Sequence, residues 1–144
     1  MKYIVAVDQS TSASKIFLVD ERGEITRTAR HAHRQLYPVP GRAEHDAEEI
    51  YQCVKAGIDE VIEGVERTQI NAIALTNQRE TIVVWERTTG QPVCPAIVWQ
   101  DTRGTLICAE LISANDRVQQ LTGSALSPYL HASKATQLLR EQPW

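Results

Sequence analysis

No apolar run in this 144-residue chain approaches the roughly 20 residues that a membrane-spanning helix needs. At the N-terminus one lysine precedes Tyr3 to Val7, and Asp8 ends the run, which is too short for a signal-peptide core. The expected location is the cytoplasm, with no membrane partner. Cysteine is scarce. Cys53, Cys94 and Cys108 are odd in number and lack metal-ligand spacing, which excludes a disulfide framework and predicts reduced thiols in packed positions. Positive charge is not in excess: 15 Lys and Arg against 18 Asp and Glu leave a net charge of −3, without the basic surface that a phosphodiester backbone requires. Nucleic acid is therefore not an expected partner. Repeats, low-complexity tracts and linkers are also missing. What is present is ordinary for a soluble globular protein, 42% apolar and 23% charged. A chain of this length buries about 68% of its unfolded surface, so it needs neither metal nor disulfide to fold.

Lys2 to Asp8 and Ser14 to Asp20 are short runs rich in β-branched residues that read as buried strands. Glu21-Arg22-Gly23-Glu24 is a hairpin turn signal before the alternating segment Ile25 to Arg34, so three antiparallel strands follow one another. Pro38, Pro40 and Gly41 predict an irregular loop over 37–45. Asp46 precedes Glu49 at capping-box spacing and opens an amphipathic helix through Arg67, with Ile50, Cys53, Val54, Ile58, Val61, Ile62 and Val65 on its apolar face. Gly57 and Gly64 on or beside that face point to close approach to a sheet.

Ile70 to Leu75, Thr81 to Trp85 and Val93 to Trp99 read as further strands, the last two joined at Thr88-Thr89-Gly90. A second helix is expected after Asp101, capped by it, to about Ser113. A short helix over Asn115 to Leu121 ends at Gly123, and a last one over His131 to Arg140 stops at Pro143. Strands, a crossover helix and then more strands describe an α/β layer fold with a mixed sheet.

Two segments carry chemistry. Asp8-Gln9-Ser10-Thr11-Ser12-Ala13-Ser14-Lys15 joins the first two strands through small hydroxyl residues. Such residues let backbone N–H groups approach an anion; Lys15 adds positive charge and Asp8 a ligand for Mg²⁺. The plain alternative is a serine-rich hairpin. In the second segment, Arg79 and Glu80 offer a donor and an acceptor side by side, which suits the vicinal hydroxyls of a neutral polyol. Adjacent strand residues point to opposite faces, so the pair can serve one pocket only where the backbone is irregular. Trp99 offers an apolar wall and Tyr129 a second surface with a polar tip. The plain alternatives are a surface ion pair and a core tryptophan. His31 and His33, two apart on a strand, are a chelate in principle and two partly exposed strand residues in the plainer reading.

Lys2-Tyr3-Ile4-Val5-Ala6-Val7-Asp8-Gln9, Tyr37-Pro38 with Gly41, Glu44-His45-Asp46, Thr76 to Thr81, Val84-Trp85-Glu86, Ala96 to Gln100 and Pro128-Tyr129 together resemble the N-terminal part of the FGGY carbohydrate kinases over essentially the whole chain. The Trp-Gln-Asp-x-Arg segment at 99–103 is similar to the wider family, and Asn77-Gln78-Arg79-Glu80-Thr81 to its glycerol-phosphorylating branch. The resemblance implies an actin-like ATPase (ribonuclease H-like) fold whose first hairpin cradles the phosphates of ATP. It implies that Arg79, Glu80, Trp99 and Tyr129 contact the polyol, that Thr11, Ser12 and Lys15 face the phosphates, and that Asp8 sits near Mg²⁺, directly or through water.

The implied reaction moves the γ-phosphoryl group of ATP to a polyol hydroxyl, glycerol giving glycerol 3-phosphate, with xylulose or erythritol as alternative acceptors. Members are several times longer, so residues 1–144 correspond to an incomplete N-terminal domain. The second nucleotide-binding domain and the catalytic base are expected beyond it, and the segment alone is expected not to turn over. The alternative is a truncated binding or interaction domain whose uncovered apolar surface self-associates, which leaves a homo-oligomer open. Ser10, Ala13 and Lys15 stand where the glycerol branch has glycine, serine and arginine. A Cβ at position 10 is expected to strain the turn, and lysine gives up bidentate phosphate contacts.

Overall fold

The computed structural model describes residues 1–142. The chain divides into two compact units, the first made of 1–34 and 46–78, the second of 35–45 and 79 onward.

The first unit is a four-stranded sheet covered by one helix. Its strands are β1 (Tyr3–Gln9), β2 (Ala13–Asp20), β3 (Ile25–Ala32) and β5 (Ile70–Thr76), in the order β3-β2-β1-β5. β1 runs antiparallel to β2 and parallel to β5, and β2 runs antiparallel to β3, so the sheet is mixed as its sequence predicts. The period of two sends Val5 and Val7 of β1 and Ile16 and Leu18 of β2 to one face, where they join Ala29 and Val61 in the core. Helix α1 (Ala47–Val61) covers that face, with Val54 and Ile58 packed on the cluster.

α1 starts where the sequence says. The Asp46 carboxylate accepts hydrogen bonds from the N–H groups of Glu48 (2.9 Å) and Glu49 (3.2 Å). The reciprocal half of the capping box is absent, because the Glu49 carboxylate takes the Arg34 backbone N–H and guanidinium instead. The helix also ends at Val61, short of the expected Arg67. Arg27 of β3 reaches over to donate to the carbonyls of Val61 (3.1 Å) and Glu63 (2.5 Å), and Gly64 turns the chain at φ 71°. Gly64 is thus a turn residue. Gly57 is the contact glycine: a Cβ there would overlap Ile16 Cδ1 and lie 3.0 Å from Cγ1.

In the second unit regular structure is sparse. The loop expected over 37–45 ends in a two-residue strand, β4 (Glu44–His45), paired antiparallel with β6 (Ala96–Ile97). The strands expected over 81–85 and 93–99 shrink to β6 and to isolated bridges of Ile82 with Ile97 and Trp85 with Pro92. Pro92 and Pro95 withhold N–H donors on one side of this ribbon, and Glu80 breaks the other with φ 64°. The helix expected directly after Asp101 is the six-residue α2 (Thr105–Glu110), and Asp101 does not cap it. α3 (Asn115–Thr122) ends on left-handed Gly123 as expected, and α4 (His131–Glu141) follows. Pro143, expected to stop α4, lies outside the described residues. The core holds Ala43, Ala96, Ile97, Val98, Ile107 and Leu138. Among the described residues no helix is long and apolar enough to cross a membrane.

Ile16 is fully buried and cannot retreat, so overpacking at position 57 outweighs the gain of about 1 kcal/mol in helix propensity. Gly57→Ala is expected to lower the unfolding free energy by about 1–2 kcal/mol in urea titration. An unchanged or raised midpoint would show that α1 does not need close approach to β2.

Candidate functional site

The site residues named from sequence fall into two groups, one in each unit. In the first unit β1 delivers Asp8 to its carboxyl end, and Lys15 is its cross-strand partner on β2. The loop between them closes tightly, with Ser10 N–H donating to the Ala13 carbonyl at 3.0 Å. The Asp8 carboxylate accepts from the Ser10 hydroxyl at 2.8 Å and lies 3.9 Å from the Lys15 ammonium. Ser10, expected to strain this turn, does not: among the described non-glycine residues only Glu80 has a positive φ. Its hydroxyl instead fixes one oxygen of Asp8. The Thr11 carbonyl accepts from His33 Nε2 at 2.8 Å, so the loop is pinned through its backbone, while Ser12 stands exposed at the tip. Gln78, nine-tenths buried, donates to Gln9 at 3.1 Å and steadies the end of β1. Beside Asp8 the sheet face away from α1 carries an open hollow of about 270 Å³, lined by residues including Ala6, Phe17 and Thr76.

This loop has donors for an anion and one partly exposed carboxylate. A single carboxylate suffices for Mg²⁺, which keeps waters and takes its other ligands from phosphate, so Asp8 fits that ion when phosphate is present. No group of three or more His, Cys, Asp or Glu side chains able to hold a metal unaided occurs among the described residues. His31 and His33 do not form a chelate: His31 Nε2 contacts Glu60 at 3.0 Å, and His33 serves the loop. The three cysteines form no disulfide with one another and are half-buried rather than packed in the core.

In the second unit Glu80, Trp99 and Tyr129 come together. Glu80 takes the left-handed φ of 64°, so the backbone is irregular at the Arg79-Glu80 pair as the sequence reading requires. Its Oε2 lies 2.7 Å from His131 Nδ1, and its carbonyl accepts from Lys134 Nζ at 2.6 Å. Arg79 is exposed, and its guanidinium has no hydrogen bond or ion pair among the described residues. Trp99 is half-buried and meets Tyr129 edge-on, ring centroids 5.9 Å apart at 68°. The Trp99 N–H donates to Thr81 Oγ1 at 3.2 Å, tying the tryptophan to the residue after Glu80.

Asp101 and Arg103, from the same Trp-Gln-Asp-x-Arg segment, are buried and paired with each other. They hold the unit together. The Arg103 guanidinium grips both oxygens of Asp101 at 2.8 Å and Glu44 at 2.7 Å, and Asp101 also accepts from the Ala43 N–H at 2.9 Å. The side chains of Arg103 and Asp101 are 4% and 0% exposed, so the pair works at low dielectric. Burial pushes the Asp101 carboxyl up, but the Arg103 hydrogen bonds and two backbone N–H groups outweigh it and hold the carboxyl below its ordinary value.

Sequence reasoning missed Lys134 and His131, both in the first turn of α4. The signal was there for Lys134, which stands one turn before buried Leu138, on the side of α4 that faces the core.

A family model described as the N-terminal domain of the FGGY family of carbohydrate kinases matches residues 3–144. Glycerol kinase 2 of Streptomyces avermitilis is 43% identical over 146 residues, covering 99% of this chain and 29% of that protein. The crystal structure of Plasmodium falciparum glycerol kinase with ADP superposes with a TM-score of 0.89 at 33% identity, over 99% of this chain and 29% of the other. Ligand-bound xylulose kinase from Lactobacillus acidophilus gives the same TM-score at 21% identity over the same shares, a likeness of fold. The chain spans under a third of the length of these relatives.

Asp101 holds a lowered carboxyl value, so its stabilisation is fully present above the unfolded value near 4 and is lost as pH falls through the folded one. Asp101→Asn, which leaves Arg103 buried beside a neutral group, is expected to cost about 3–5 kcal/mol at pH 7 in denaturant titration. The gap to the wild type should narrow below about pH 4. A constant gap from pH 7 to pH 3 would contradict this role.

Proposed function

The chain belongs to the FGGY family of carbohydrate kinases and has the actin-like ATPase fold of that family; from that premise we propose that it is the N-terminal part of a cytoplasmic, ATP-dependent polyol kinase acting on glycerol. The observation that carries this reading is the contrast between neighbours in the second unit. Arg79 is exposed with no protein partner among the described residues, while Glu80 is fixed beside it in a strained backbone. A charged donor awaiting a partner and an immobilised acceptor suit vicinal hydroxyls, each of which gives one hydrogen bond and takes another. The Trp99–Tyr129 edge supplies an apolar wall for the carbon skeleton. The identity with glycerol kinases over nearly the whole chain favours glycerol as the acceptor.

The residues proposed for ATP lie in the first unit. Thr11, Ser12 and Lys15 face the phosphates of ATP, Lys15 as a point charge. Asp8 would hold Mg²⁺, which neutralises charge on the phosphates during transfer. Ser10 keeps one Asp8 oxygen oriented, and Lys15 balances the other until phosphate arrives.

Catalysis by positioning and charge still needs a base to take the hydroxyl proton. In this reading Glu80 and Asp8 already serve as polyol acceptor and Mg²⁺ ligand, and Asp101 and Glu44 are held by Arg103. The 144-residue segment alone is therefore proposed to bind and orient without turning over. ATP-dependent polyol phosphorylation by the isolated segment would contradict this.

In calorimetric titration of the full-length protein that carries this segment, Arg79→Ala is expected to weaken glycerol binding by about 10- to 100-fold, the worth of a hydrogen bond to a charged group. Thermal stability should not change, because the Arg79 guanidinium makes no hydrogen bond or ion pair among the described residues. Unchanged glycerol affinity would refute the pocket, and tighter binding of xylulose or erythritol would reassign the acceptor.

A further inference from the structure

Lys134 is a fully buried lysine that the proposed chemistry does not use. Burying an ammonium is costly unless hydrogen bonds replace its hydration. Here they come from two backbone carbonyls, those of Glu80 at 2.6 Å and Tyr129 at 2.8 Å. These two residues come from separate stretches of the second unit, 49 positions apart in sequence, and both are assigned to the polyol. The Nζ atom also lies 5.9 Å from the centroid of the Tyr129 ring. Burial pushes the Lys134 ammonium below the ordinary lysine value, with the Glu80 and Asp101 carboxylates pulling the other way.

Glu80 gives this arrangement a purpose. A glutamate at φ 64° is strained and persists only where its surroundings hold it there. The carbonyl that Lys134 grips belongs to that residue, so a charge-assisted bond opposes the strain at the strained residue itself. His131, three positions earlier in the same helical turn, meets the Glu80 carboxylate. One turn of α4 thus grips the backbone of the acceptor through Lys134 and places His131 beside its carboxylate.

We propose that Lys134 is a positioning residue for the polyol site: its buried ammonium fixes the left-handed backbone of Glu80 and the Tyr129 backbone in one frame, setting the distance between acceptor carboxylate and aromatic wall. The proposal rests on the polyol reading and adds a residue that touches no substrate. It separates Lys134 from Ser133, its helix neighbour, whose hydroxyl donates to the carbonyls of Ser127 and Leu130 and reaches neither Glu80 nor Tyr129.

The test uses Lys134→Met, Lys134→Gln and Ser133→Ala in the full-length protein, measuring KM for glycerol and for ATP separately, with circular dichroism as a check on folding. K134M is expected to raise the glycerol KM at least tenfold with the ATP KM within twofold of wild type. K134Q, whose shorter neutral side chain reaches at most one carbonyl, should fall between them, and S133A should leave both constants unchanged. A glycerol KM within twofold of wild type in K134M overturns the proposal, as does an equal rise in both constants. If K134M does not fold, K134Q decides by the same split, a threefold or larger rise for glycerol alone supporting the proposal and no rise overturning it. A wild type that takes no polyol refutes the polyol reading instead. Lys134 is then tested by the near-ultraviolet dichroism of the Trp99–Tyr129 contact, which should change in K134M or K134Q and not in S133A; unchanged spectra in the lysine variants overturn the positioning role.

Discussion

A charge taken out of water must find its compensation inside the protein, and the second unit is organised by that constraint. Among the described residues its regular structure is slight: two strands of two residues, the helices α2, α3 and α4, one 3-10 turn and a ribbon interrupted by proline. What holds such a set in one arrangement is the Arg103 fork on Asp101 and Glu44, which joins the segment after β6 to β4. Lys134 does the same between α4, the chain at Glu80 and the loop at Tyr129. In both cases the buried cation has one partner more than 50 positions away in sequence, so compensation of the charge and closure of the fold are one event.

The first unit solves a simpler problem. Alternation in β1 and β2 defines one apolar face, α1 covers it, and Gly57 lets the helix come close enough to exclude water. Because the strands are held from that side, Asp8, Ser10 and Lys15 are left at the open end of β1 and β2 with their polar groups toward one another. The residues proposed for the polyol, by contrast, lie in irregular backbone. Rigidity there comes from hydrogen bonds to a strained residue, in keeping with the way functional strain is held by its surroundings.

How much of this could be read from the chain follows from where the information is local. The hairpins, the Asp46 cap and the mixed sheet obey period two, turn chemistry and capping, which neighbouring residues determine. The end of α1 was misplaced because Arg27, 34 positions before Val61, caps it. Asp101 read as a helix cap because nothing near it reveals that Arg103 folds back onto it and that Ala43 donates to it from 58 positions away. Arg79, Glu80, Trp99 and Tyr129 were legible as unusual polar and aromatic residues near buried strands. The left-handed turn at Glu80 and the lysine beneath it were not, since each depends on a contact across 54 positions.

The central claim is that the second unit presents a preset Glu80 carboxylate and a free Arg79 guanidinium to a polyol. A crystal structure of the full-length protein with glycerol bound tests it most directly. The account predicts vicinal hydroxyls on Arg79 and Glu80, carbon atoms against the Trp99–Tyr129 edge, and Glu80 still at a left-handed φ with its carbonyl on Lys134. Glycerol bound away from these residues, or a Glu80 backbone turned to negative φ, would contradict it.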